Sequence, residues 1–177
     1  MCSSDLDLNV VLVEPEIASN TGAIGRTCVA LGATLWLVRP LGFHLDDRNV
    51  RRAGLDYWEH LRYHVVDDLD ELTSRIGLDR LWWFSTKATR IYTEAPFRPG
   101  DALVFGPESR GLPRGRIEAN PERALRIPMR PEARSLNLAN AAAVGLYEAY
   151  RRIGDRWVGP ESLGEIGETP RSRPPVL

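Results

Sequence analysis

The chain has 177 residues, 43% of them hydrophobic, which is enough to bury one core without a disulfide or metal staple. With 23 basic against 24 acidic residues the net charge is -1, so polybasic character over the whole chain is excluded and any polyanion contact must come from local patches. Two cysteines, three histidines without metal-ligand spacing, no apolar run of membrane-spanning length and an N-terminal "MCSSDLDLN" without a secretory pattern argue against a secreted, metal-stapled or membrane protein and for a cytoplasmic one.

In chain order, the apolar runs at 9–13, 34–38, 81–85, 102–106 and 124–128 read as strands. Helical patterns alternate with them, which predicts an α/β domain with a mostly parallel sheet flanked by helices. After the first strand, "NTGAIGRTCVALG" sets Ile24, Cys28 and Leu31 on one helical face, with Asn20 able to cap its start and Gly32 its end. Cys28 reads as a core thiol. "DDLDELTSRIG" predicts a second helix, with acidic residues in its first turn and Gly77 after its end. A last helix runs from about Asn137 to Ile153, with Arg151 and Arg152 at its negative end and Gly154 as its stop. From Asp155 onward the sequence is rich in proline, glycine and charge and is expected to be a mobile tail, leaving one domain over 1–154 and a tail over 155–177.

Three segments hold polar residues beside glycine or proline at strand ends, where open α/β sheets bind ligands. The first, "EPEIASNTGAIGRT", contains Asn20 and Arg26 and matches neither the Walker nor the dinucleotide-binding glycine pattern, which disfavours those nucleotide enzymes. The second, "FGPESRGLP", places Gly106 at a strand end and the Glu108 carboxylate beside Arg110. The third, "IPMRPEARSLNLANA", runs from a strand end into a helix start crowded with Ser135, Asn137 and Asn140, where one capping side chain would be enough. Charge is local as well. Arg110 to Arg134 holds seven arginines against three glutamates, and "RNVRR" groups Arg48, Arg51 and Arg52. Lys87 is the only lysine.

The order of these segments closely resembles the three motifs of the SpoU branch of the SPOUT RNA methyltransferases. Together with "PLGFHLDDRNVRRAGLDYWEHL", over 40–61, they look like the small tRNA (cytidine/uridine-34 2'-O)-methyltransferase family. The 40–61 block discriminates most, because larger ribosomal-RNA relatives share the three motifs and usually carry an added RNA-binding domain that is not seen here.

The resemblance implies a SPOUT-type fold with a C-terminal trefoil knot, which follows from the likeness alone because knots are nearly absent among folds. It implies S-adenosylmethionine as cofactor, with Phe84, Gly106, Ile127 and Ser135 in contact and Met129 and Leu136 beside them. The resemblance gives Arg26 the leading catalytic role, either as a base, which demands a strongly lowered pKa because a free arginine stays protonated, or as an electrostatic stabiliser of the developing ribose oxyanion. Asn20 is expected to position Arg26 or the ribose, Glu108 to orient the arginine, and Asn137 to face the substrate pocket. The resemblance implies tRNA, at its anticodon stem-loop, as substrate, with Arg51, Arg52 and the arginines of 110–134 on phosphates. A homodimer whose sites are completed by the partner chain is expected, with Leu146 and Tyr147 as interface candidates and no metal.

Overall fold

The computed structural model describes residues 7–45 and 57–154. Arg48, Arg51 and Arg52 lie outside the described residues, as does the segment from Asp155 onward. The described strands are β1 (Asn9–Val13), β2 (Thr34–Val38), β3 (Tyr63–Val66), β4 (Leu81–Phe84), β5 (Arg90–Ile91), β6 (Ala102–Phe105) and β7 (Ala124–Arg126). They form a single sheet of order β3-β2-β1-β6-β4-β7-β5, parallel at every pairing. The helices are α1 (Ala18–Leu31), α2 (Leu69–Ile76), α3 (Arg114–Ala119) and α4 (Leu138–Ile153).

Every strand predicted from an apolar run is present, with the ends of β4, β6 and β7 one or two residues short of the expected bounds. β3 and β5 were not expected, and both are sheet edges. An edge strand faces solvent along one side. The Tyr63–Val66 strand is accordingly buried only at its end and β5 is two residues long, so neither shows a continuous apolar run.

Alternation along the strands divides the core into two layers. Val10 and Leu12 of β1 face Ile24 and Cys28 of α1 and Ala142, Leu146 and Ala149 of α4. Val11 and Val13 face the opposite way, with Leu72 of α2 and Ile117 of α3. Burial pushes the Cys28 thiol up to about 12, so it packs as an inert core group. α1 ends at Gly32 in the left-handed region, as its sequence predicts. On α4 the buried positions Ala142, Gly145, Leu146 and Ala149 follow a helical stripe. Gly145 has a steric reason to lack a side chain, since a Cβ there would stand 2.9 Å from the Phe84 ring and 3.1 Å from Leu103. Leu146, a candidate for a dimer surface or for monomer core, is core at 1% exposure, because it shares this stripe. Tyr147, one position on, is 48% exposed.

One carboxylate is fully enclosed. Asp101, just ahead of β6, accepts from Trp82 Nε1 at 2.8 Å and from the Arg98 amide at 2.9 Å, and Arg80 lies 3.6 Å from its other oxygen. Asp101 therefore ties the start of β6 to β4. Replacing it with alanine leaves two donors without this acceptor, so Asp101→Ala should destabilise the fold by about 2–4 kcal/mol. A urea titration followed by circular dichroism measures this, and Asp101→Asn, which keeps an acceptor oxygen, should lose less.

Candidate active site

The chain leaves β6 at Phe105 and folds back on itself at once. The Gly111 amide donates to the Pro107 carbonyl at 2.8 Å, and Gly111 adopts a φ of 67°. A Cβ on Gly106 would lie 2.3 Å from the Gly111 carbonyl carbon and the Leu112 nitrogen. Glycine at 106 is thus demanded by the loop's own backbone, whatever lies in the cleft.

This loop presents Glu108 to the start of α1. The Glu108 carboxylate accepts from the amides of Glu16 at 2.8 Å and Ile17 at 3.2 Å and from Asn20 Nδ2 at 3.0 Å. No side chain of α1 itself caps the helix, and Glu108, 88 residues further along the chain than Asn20, takes up the amides ahead of its first turn. Asn20 was expected to be the cap. It lies inside the first turn instead, 8% exposed, and its side chain bridges two other segments. The contact is reciprocated, because the Glu16 carboxylate accepts from the Ser109 amide at 2.9 Å and the Ser109 hydroxyl at 2.7 Å. Arg110 pairs with Glu14, a residue held at a φ of 48° where the chain turns out of β1.

Asn137 joins the third segment to this junction. Its Nδ2 donates to Asn20 Oδ1 at 3.0 Å, while its Oδ1 accepts from the Ala139 and Asn140 amides at 2.9 and 3.3 Å and so caps α4. One side chain caps a helix with its oxygen and reaches across the cleft with its nitrogen. Ser135 precedes the helix rather than opening it, and Asn140 takes part through its main-chain amide.

Around the junction lies a cavity of about 460 Å³ at the carboxyl ends of β4, β6 and β7, a size suited to a small organic ligand. β1 and β6 are neighbours from which the chain departs to opposite sides, the kind of switch point at which such sheets bind ligands. Phe84, Gly106, Ile127, Met129, Ser135, Leu136, Asn20, Glu108 and Asn137 all border the cavity. Phe84 is 7% exposed, its ring stacked on Phe105 at 4.7 Å beneath α4. Lys87, Ser109 and Arg110 line the cavity too, although sequence reasoning gave them no role there. Lys87 stands three residues past the end of β4, and its place after a strand's carboxyl end was the available signal.

Arg26 stands apart. It is exposed, six residues and roughly 9 Å along α1 from Asn20, and does not border the cavity of its own chain. Glu108 was expected to orient it, but that carboxylate is occupied by α1 amides and Asn20. Among the described residues Arg26 lies against the Tyr57 ring, 4.8 Å from its centroid. Of the 110–134 arginines, Arg110, Arg114 and Arg116 pair with acids and Arg123 lies over Trp82, while Arg130 and Arg134 are exposed without an ion-pair partner among the described residues. No cluster of three or more possible metal ligands occurs among the described residues, and no described helix is long and apolar enough to cross a membrane.

A sheet with this switch point and a three-segment cleft is a fold shared with known RNA-modifying enzymes. The SpoU rRNA Methylase family model matches residues 7–147, and the chain belongs to this family. Within it, the chain is 49% identical over 149 residues to the tRNA (cytidine(34)-2'-O)-methyltransferase of Saccharophagus degradans, spanning 82% of this chain and 96% of that one. It is similar to a solved structure described as giving insights into the 2-OH methylation of C/U34 on tRNA, with a TM-score of 0.78, 46% identity and coverage of 82% and 95%. It is also similar to the SpoU methyltransferase AviRb of Streptomyces viridochromogenes, solved with AdoMet, at a TM-score of 0.73, 26% identity and coverage of 84% and 58%.

Hydrogen bonds from the Ser109 hydroxyl and amide, helped by the Arg110 charge, hold the Glu16 carboxyl below its usual range. A carboxylate so depressed stabilises the folded state above its unfolded value of 4.5 and loses that contribution as pH falls through its folded value. Thermal melts should therefore show wild type more stable than Glu16→Gln at neutral pH, with the gap closing as pH drops below about 4.5.

Proposed function

We infer that the protein transfers a methyl group from S-adenosylmethionine to the ribose 2'-hydroxyl of the wobble nucleotide, position 34, C or modified U, of tRNA. The observation that carries this reading is the convergence of all three motif segments on one cavity through the Asn137–Asn20–Glu108 chain. The close relatives named above act on this same nucleotide, and the AviRb structure holds the same cofactor.

The donor set suits the cofactor. Phe84, Ile127, Met129 and Leu136 offer apolar surface for an adenine, and Ser135 and Asn137 offer polar groups beside it. Gly106 keeps the loop over this surface closed on itself. S-adenosylmethionine bound there supplies an electrophilic methyl group carried on sulfur. Methyl transfer from it would replace the carbon–sulfur bond by a carbon–oxygen bond to the ribose and release the hydroxyl proton to an RNA phosphate. Arg26 stabilises the negative charge that gathers on the oxygen. Because Arg26 lies outside its own chain's cavity, the reading includes a homodimer in which each cavity is completed by the partner's Arg26. The exposed Val144 and Tyr147 on α4 offer apolar surface for it. The segment from β7 to α4, which carries Ile127 to Asn137, is read as part of a trefoil knot.

Arg51, Arg52, Arg130 and Arg134 are the proposed phosphate contacts with the anticodon stem-loop, positioning the RNA without specifying it. Residues 1–154 form the methyltransferase domain, with 155–177 as an appended tail. The reaction proceeds without a metal, in the cytoplasm.

The purified protein with S-adenosylmethionine should methylate tRNA at the ribose of nucleotide 34, as mapped by mass spectrometry of nuclease fragments, and a transcript with 2'-deoxyribose at 34 should accept nothing. Methylation elsewhere would replace the target while keeping the enzyme class. Arg26→Ala should lower the single-turnover rate about a hundredfold to a thousandfold, with cofactor and tRNA affinity nearly unchanged. Arg26→Lys should restore little, since lysine lacks the planar fork.

A further inference from the structure

Among the described residues, Arg26 is held by a ring and by no carboxylate. The acids close to it in sequence or in the site are engaged elsewhere: Glu14 with Arg110, Glu16 with Ser109, and Glu108 with main-chain amides and Asn20. The difference matters chemically. A carboxylate binds a guanidinium edge-on, occupying N–H donors and offsetting the charge, whereas an aromatic ring binds its flat face and leaves the N–H groups around the rim free. A group whose task is to meet a developing oxyanion needs a fixed orientation and unspent donors together.

Tyr57 is itself anchored for this contact. Its carbonyl accepts from the His60 amide at 3.0 Å, opening the short turn Trp58–His60. That turn docks on α1 at Gly25, the residue before Arg26, where a Cβ would stand 3.0 Å from Leu61 Cδ2 and 3.4 Å from Trp58 Cζ3. Leu61 is buried, and the Trp58 ring packs against Tyr63 at 5.4 Å. The bare helix surface at Gly25 lets the turn come close enough for the next side chain, Arg26, to lie against the Tyr57 ring.

We propose that Tyr57 is a positioning residue for methyl transfer, its ring face fixing the Arg26 guanidinium while leaving the N–H donors free for the ribose oxygen. The proposal rests on the reading of Arg26 as the catalytic arginine. Single-turnover methylation of tRNA at saturating S-adenosylmethionine tests it on wild type, Tyr57→Leu, Tyr57→Phe, Arg26→Ala and the Arg26→Ala/Tyr57→Leu double variant, with melting temperature and both affinities measured alongside. Tyr57→Leu should be slowed about tenfold and Tyr57→Phe, which keeps the ring, by no more than about twofold. Melting and affinities should stay at wild-type values, and Tyr57→Leu should cost nothing further once Arg26 is alanine. A parental rate for Tyr57→Leu beside a crippled Arg26→Ala would overturn the positioning role and leave the Arg26 reading standing. A parental rate for Arg26→Ala would remove both. Equal slowing by Tyr57→Leu in both backgrounds, or loss of melting temperature and affinity together with rate, would show that the ring acts other than through Arg26, and the proposal fails.

Discussion

The cleft depends on what Glu108 does with its two oxygens. A helix that starts without a side-chain cap of its own leaves amide donors to be satisfied, and here the acceptor is a carboxylate delivered by a loop 91 residues away from Ile17. Because the same carboxylate also takes the Asn20 amide group, the position of α1 is set by the loop after β6, and Asn137 then sets α4 against α1. Three segments distant in sequence hold one another in place through side-chain amides and a small set of charged groups, Glu108 foremost among them. This is how polar groups at the cleft can be fixed to within a fraction of an ångström beside an apolar core whose packing is directionless.

The cavity wall and the core share side chains. Phe84 stacks on Phe105, supports α4 where Gly145 gives it room, and turns its remaining surface to the cleft. A ring packed on two sides has little freedom to adapt, so this part of the cavity wall is preformed and a ligand spends little binding energy on ordering it. Hydrogen bonds hold the Asn137–Asn20–Glu108 side of the cleft, and packing holds Phe84.

What could be read from the sequence followed the strength of local physics. Central strands buried on both faces appear as unbroken apolar runs, and Gly32 announces the end of α1 because few other residues tolerate its backbone conformation. β3 and β5 escaped notice because edge strands are half solvated, and the six-residue α3 is too short to show a period. Motif order placed the cavity residues well, yet the reasons for some of them were different. Gly106 serves its own loop and Asn20 bridges segments instead of capping. The Arg26–Tyr57 contact had no sequence signal at all, since it exists only once the 57–61 turn docks on α1.

The modest edges of the sheet have a consequence of their own. A parallel sheet recruits further strands only through an open edge that is long, flat and apolar, the feature that drives runaway assembly into fibres. Here one edge is a four-residue strand carrying Tyr63 and His64 in solvent, and the other is two residues long and begins with an arginine. Neither offers a template for another chain, so copies of this protein meeting in a crowded solution are left with side-chain surfaces to recognise.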